Sequence, residues 1–128
     1  MTDDKVTQYN WGYEIHWAKK ERFSGKILVF TRSNCATDMI MHKEKTKSFF
    51  VNNGKFKVRW INITNGEIFE AEIKEGAVFD VDSMMPYQLI SLEDNGSLSE
   101  VSSGDPNNQD NFIIVKSGNN NASSSIPK

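Results

Sequence analysis

The sequence predicts an all-β fold, a single-domain jelly-roll β-barrel of about eight to ten short strands. Three observations carry that expectation. Segments that alternate apolar and polar residues recur at near-regular spacing along the chain. Asn-Gly pairs at Asn53-Gly54, Asn65-Gly66 and Asn95-Gly96 punctuate them in the manner of hairpin turns. No stretch carries an apolar period of 3.6 residues, so no helical domain is expected. A chain of 128 residues fits one domain and buries roughly two-thirds of its unfolded surface, enough for one core.

Residues 1–8 lack a core pattern and read as a loose N-terminal arm, leaving 9–116 as the folded domain. Trp11, Tyr13, Ile15 and Trp17 alternate, which predicts a half-buried first strand with those residues on its buried side. His16 then falls on the opposite face, for exposure or an interface contact. Gly25–Phe30 is a continuous apolar run and reads as a buried strand. The stretch from Asp38 to Gly54 reads as two short strands joined by the charged turn Lys43-Glu44-Lys45 and closed by the Asn53-Gly54 hairpin signal. His42 ends the first of these strands and Lys47 starts the second. From Lys55 to Ile63, Phe56, Val58 and Trp60 share one face, and Lys55, Lys57 and Arg59 form the wet side. Further strands are expected at Glu67–Ile73, Ala77–Val81, Tyr87–Leu92, Leu98–Val101 and Phe112–Val115. The Asn/Ser-rich residues 117–128 read as a disordered tail.

The formal net charge of −2 and the lack of a long basic block argue against a nucleic-acid binder that works by counterion release. No apolar run is long enough for a membrane-spanning helix, and the polar N-terminus lacks the apolar core of a signal peptide. A cytoplasmic protein is expected. The one cysteine, Cys35, fits a reducing compartment. It lies in a turn with no adjacent base, so a structural role is expected.

The order and spacing of residues from Ile40 to Gly54 resemble the first conserved motif of the cupin superfamily, which carries two histidines one residue apart, a glutamate and a glycine. His42 falls on the second histidine and Gly54 on the glycine, whereas Ile40 and Lys47 stand at the first histidine and the glutamate. The second motif, a glycine, a proline and glycine in a tight turn and a histidine, is matched in spacing by Gly76, Asp82, Met84 and Tyr87. Trp11-Gly12 with Tyr13-Glu14, the Gly25 strand, the Lys74-Glu75-Gly76 turn, Pro86 and Glu100-Val101-Ser102 are similar to the C-terminal cupin domain of type II mannose-6-phosphate isomerases. The resemblance covers about residues 9–118 and implies a double-stranded β-helix that dimerises through its sheets.

In metal-binding members of the superfamily, the positions matched here by Ile40, His42, Lys47 and Tyr87 hold a divalent ion. An ion needs three or four converging N, O or S donors. Ile40 offers none, and a protonated Lys47 brings a positive charge to the place of the ion. Asp38 lies roughly 13 Å from His42 along a strand at about 3.3 Å per residue, too far to share an ion. No metal and no other cofactor are therefore expected. The resemblance and the strand alternation together turn Asp38, Ile40 and His42 inward, with Lys47 and Tyr87 facing the same cavity. The ligand-binding candidates are Asp38, His42, Lys47, Phe49 and Tyr87, the Phe49 ring being of a kind that stacks on sugars. A neighbouring cation disfavours the imidazolium, so His42 is expected neutral at pH 7. As catalytic candidates His42 is the base and Tyr87 the acid, with Lys47 holding a phosphate or carboxylate. The bland alternative pairs Lys47 with a carboxylate such as Asp38 and leaves His42 as a hydrogen-bonded wall residue.

Three functions are compatible with these residues. The first is a metal-free module that binds a small polar or sugar-like ligand. The second is a sugar-phosphate isomerase or sugar-nucleotide epimerase. The third is a scaffold whose interior is closed by Ile40, Met84, Met85 and Phe49. A homodimer, with no nucleic-acid or membrane partner, is the expected assembly.

Overall fold

A computed structural model describes residues 5–105 and 110–117. Among these residues eleven strands form in chain order: β1 (Val6–Tyr9), β2 (Gly12–Lys19), β3 (Phe23–Phe30), β4 (Met39–Met41), β5 (Lys47–Asn53), β6 (Lys55–Asn62), β7 (Glu67–Lys74), β8 (Val78–Val81), β9 (Tyr87–Ser91), β10 (Gly96–Ser103) and β11 (Phe112–Val115). They make two antiparallel sheets, one of six strands in the order β1-β2-β3-β10-β5-β8 and one of five in the order β11-β4-β9-β6-β7. The expected all-β architecture is present. Among the described residues, no helix is long and apolar enough to cross a membrane.

The two sheets pack through rings contributed by both. Phe30 of β3 meets Phe56 of β6 edge-on at 5.1 Å, Phe49 of β5 meets Tyr87 of β9 at 5.7 Å, and Trp60 of β6 meets Phe79 of β8 at 5.4 Å. Leu28, Phe30, Phe49, Val51, Phe56, Val58, Leu89 and Leu98 complete a dry core. Trp11 sits in the β1–β2 turn, stacked between Tyr9 and Phe30 at 4.7 and 4.3 Å. Gly12 follows it with φ +152°, and a Cβ there would lie 1.8 Å from the Val29 carbonyl oxygen, so only glycine admits this close approach of β2 to β3.

Several local expectations are corrected. Of the loose arm assigned to residues 1–8, residues 1–4 lie outside the described residues, and Val6–Gln8 are part of β1, where Val6–Tyr9 pair antiparallel with Gly12–Ile15. Asn53-Gly54 closes no hairpin: β5 pairs with β10 and β8, and β6 pairs with β7 and β9. The chain turns there from one sheet into the other, with Gly54 at φ +90° and only 2.8 Å between a would-be Cβ and the Gly96 Cα. Lys43-Glu44-Lys45 likewise carries the chain between sheets. Asn65-Gly66 does close the β6–β7 hairpin, through the four residues Ile63 to Gly66. Of the tail assigned to 117–128, residues 118–128 lie outside the described residues, and Ser117 is buried with its N–H donating to Asp38 Oδ1 at 2.8 Å.

The faces of β2 are the reverse of those expected. Glu14 is buried and Trp17 is 54 % exposed, its ring lying over Gly25. Glu14 pairs with Leu28 and His16 with Lys26, and Leu28 points into the core. Because side chains alternate strictly, this register carries Glu14 and His16 inward.

Met84 adopts φ +62° at the position matched to the turn glycine of the second motif. A left-handed residue with a Cβ is disfavoured by about 1–2 kcal/mol, partly offset in a glycine variant by the greater freedom of its unfolded chain. Met84 is 41 % exposed, so little packing is lost on truncation. Met84→Gly should leave stability equal or raise it by up to about 1 kcal/mol, whereas Met84→Val should lower it; urea titrations of both variants measure the difference.

Candidate functional site

Inward rows of the six-stranded sheet change character along the strands. Glu14, Leu28, Leu98 and Val51 form one row, His16, Lys26, Glu100 and Phe49 the next, and Ser24, Ser102 and Lys47 the one after. The interior thus passes from a dry core to a polar end within two steps of each strand. At that end lies a cleft of 420 Å³ lined by four lysines (Lys19, Lys26, Lys45, Lys47), two histidines (His16, His42), Glu100 and Asp110, with Ile40 as an apolar wall. The volume is within the usual range of small-molecule pockets.

The floor of the cleft is a buried charge pair. Lys47 Nζ lies 3.5 Å from Glu100 Oε2, with side chains only 8 % and 3 % exposed. The same ammonium donates to the Tyr87 hydroxyl at 3.0 Å and sits 5.6 Å from the centre of that ring. Burial alone would depress the lysine, but the field of Glu100 and the Tyr87 oxygen outweigh it and hold Lys47 above its ordinary range. Burial would raise Glu100, and Lys47 and Lys26 overcome this and hold it low. Burial raises Tyr87, so its phenol stays protonated at neutral pH.

His42 closes one side. Its Nδ1 lies 2.6 Å from the Asp110 carbonyl oxygen. A carbonyl only accepts, so Nδ1 carries the proton and Nε2 carries a lone pair. Nε2 is buried and has no partner among the described residues. Burial, and then the charge of Lys47, depress the imidazole, which is neutral at pH 7. The Asp110 carboxylate accepts backbone N–H bonds from Lys43, Glu44 and Lys45 at 2.7, 2.8 and 2.9 Å. One residue therefore fixes both the turn that carries Lys45 and the tautomer of His42. On the far side, Glu14 Oε1 accepts from the Tyr9 hydroxyl at 3.1 Å and lies 3.3 Å from Lys26 Nζ and 3.4 Å from His16 Nε2.

The structure brings His42, Lys47 and Ile40 to the cleft wall. Tyr87 stands behind Lys47, only 4 % exposed, with its ring 6.3 Å from that of His42. Phe49 packs in the core against Tyr87. Asp38 is not on the cleft wall; its carboxylate accepts the Ser117 N–H, and the partner of Lys47 is Glu100 instead. Sequence reasoning missed Glu14, His16, Lys26, Lys45, Glu100 and Asp110. A signal existed for Glu100: it shares its alternation with Leu98, a core residue of the same strand. For Asp110 no local signal exists, since its role is made by contacts 65 to 68 residues away in sequence.

No family model matches the sequence, and no curated protein matches it. Solved structures do. The capsular polysaccharide assembling protein CapF from Staphylococcus aureus has a TM-score of 0.74 at 18% identity, over 85% of this chain and 33% of that one. Oxalate decarboxylase from Bacillus subtilis has a TM-score of 0.75 at 15% identity, over 85% of this chain and 29% of that one. The formate complex of Lactobacillus farciminis oxalate decarboxylase gives 0.74 at 14% identity, over 85% and 33%. These are cupin-fold proteins, and the likeness shows that this chain has the cupin fold. It spans about a third of their length.

Lys47→Met should destabilise the fold by about 3–5 kcal/mol, because it leaves Glu100 buried and unpaired. The double variant Lys47→Met/Glu100→Leu should recover most of that loss in urea titrations, since no buried charge then remains. Both histidines have depressed folded pKa values, burial being the largest cause and then Lys47 for His42 and Lys26 for His16. They bind protons more readily in the unfolded chain, so stability is full above about pH 6.5 and falls as pH drops below it. In melting curves at pH 7.5 and 5.5, His42→Gln should show a smaller fall than the parent chain.

Proposed function

We propose that this chain is a metal-free cupin-fold module that binds a small polar, sugar-like ligand in the cleft between Lys26, Lys45 and His42. The observation that carries this reading is the cleft itself: 420 Å³ and open, with His42 in its wall, whose buried Nε2 has no partner among the described residues. A scaffold would be closed over by Ile40, Met84, Met85 and Phe49, and instead Phe49 is packed in the core and Met84 is exposed. The resemblance of Trp11-Gly12, the Lys74-Glu75-Gly76 turn and Glu100-Val101-Ser102 to a mannose-6-phosphate isomerase domain favours a sugar-like ligand. So does the neighbour named for capsular polysaccharide assembly.

The residues do not fit the divalent ion that the fold family implies. Ile40 has no donor atom, and the Lys47 ammonium, held by Glu100 and Tyr87, already supplies positive charge at the floor of the cleft. Among the described residues, no group of three or more His, Cys, Asp or Glu is placed to hold a metal. For isomerase or epimerase chemistry the neutral His42 favours a base, while Tyr87, bonded to Lys47 and set behind it, is poorly placed as the acid. A homodimer is supported by the outer face of the six-stranded sheet. There Ile15, Ile27, Ser99, Phe50 and Val78 form a row without charge, and Phe50 and Val78 are exposed.

Elemental analysis of untagged protein purified without chelators should find no stoichiometric transition metal; a near-equimolar ion would overturn the metal-free reading. In a thermal-shift screen of small polar metabolites, a true ligand at a hundredfold excess over its Kd should raise Tm by roughly 10 °C. Lys45→Glu should abolish that shift. A shift that survives in Lys45→Glu would place binding elsewhere.

A further inference from the structure

Within the binding reading above, on which this step rests, the cleft makes two separate demands on its ligand. The first is charge. Four lysines line it against two carboxylates, and both carboxylates are committed: Glu100 to Lys47, and Asp110 to three backbone N–H groups. Lys26 shares Glu14, and Lys19 and Lys45 have no ion pair among the described residues. The second demand is a proton. With Nδ1–H donating to the Asp110 carbonyl, His42 offers only the Nε2 lone pair, buried and without a partner among the described residues. A buried acceptor without a donor is costly, and a donor brought by a ligand removes that cost.

A bare carboxylate or sulfate meets the first demand and not the second, because its oxygens would set lone pair against lone pair at Nε2. A neutral sugar meets the second and brings no counter-charge to Lys19 and Lys45, which have no ion pair among the described residues. We propose that the cleft takes a compact hydroxylated anion, whose carboxylate or phosphate sits among Lys19, Lys26 and Lys45 and whose alcohol donates to His42 Nε2. Lys47 is then not the anion holder, because Glu100 and Tyr87 already occupy it; it serves as the charged floor. Lys45 fits the anion role further, since burial and the charge of Lys47 destabilise its ammonium, and an anion relieves both.

Calorimetric titration of the full chain with five probes tests this. Gluconate and glucose 6-phosphate carry both features, hexanoate and sulfate carry charge without an alcohol, and glucose carries alcohols without charge. Binding of gluconate or glucose 6-phosphate at least about tenfold tighter than of hexanoate, sulfate and glucose is expected. Whichever of the two binds names the anion. His42→Phe should erase the advantage of gluconate over hexanoate, and of glucose 6-phosphate over sulfate, while weak anion binding persists. Lys45→Gln, at a partly exposed turn position where folding is not at stake, should weaken both hydroxylated anions about tenfold. Hexanoate as tight as gluconate, or glucose as tight as either anion, overturns this inference and leaves the module reading standing. If none of the five binds at millimolar concentration, the inference and the module reading fall together.

Discussion

A lysine buried between two sheets constrains this molecule more than any other single feature. Lys47 on β5 can be charged there only because Glu100 on β10 and the Tyr87 hydroxyl on β9 meet its ammonium. An unpaired charge at that depth costs several kcal/mol even after relaxation. The three groups come from three strands and from both sheets, so the pair holds the polar end of the sandwich in register much as Phe30, Phe56 and Trp11 hold the dry end. Its field also spreads: it lowers His42 and Lys45. The neutral imidazole is a consequence of burial and of where the lysine sits.

The division of each inward strand face into apolar and polar steps gives the cleft rigid walls. Leu28, Leu98 and Val51 lie one row below Lys26, Glu100 and Phe49, so polar side chains at the cleft stand on strands whose other end is locked in close-packed core. Asp110 is the exception, a residue outside regular structure that fastens the turn of residues 43–45 and the His42 ring together. Groups lining the cleft thus come from strands for the floor and from a turn for the rim.

Positive charge in the floor also changes what the family frame can do. The motif spacing places Met84 in a left-handed turn, φ +62°, where the family has glycine. The side-chain chemistry of the first motif departs from the family's: Ile40 has no donor and Lys47 is a cation.

By itself the sequence determined the all-β class and most strand positions, because these follow from alternation and turn chemistry. The inward placement of Ile40, His42 and Lys47 needed the cupin resemblance as well, and the same reading put Asp38 beside them, where the structure does not. The sequence misplaced whatever depended on pairing. Tyr13, Ile15 and Trp17 look like a core face continuing from Trp11, yet only Trp11, in the turn before β2, reaches the core. The register Glu14 to Leu28 and His16 to Lys26 turns the polar face of β2 inward. Asn53-Gly54 looks like a hairpin, yet β5 and β6 find their partners in different sheets. Asp38 looks like the counter-ion of Lys47, yet Glu100, 53 positions away along the chain, takes that place. Period-two alternation shows that a strand has two faces; only the pairing of strands distant in sequence decides which of them is inside.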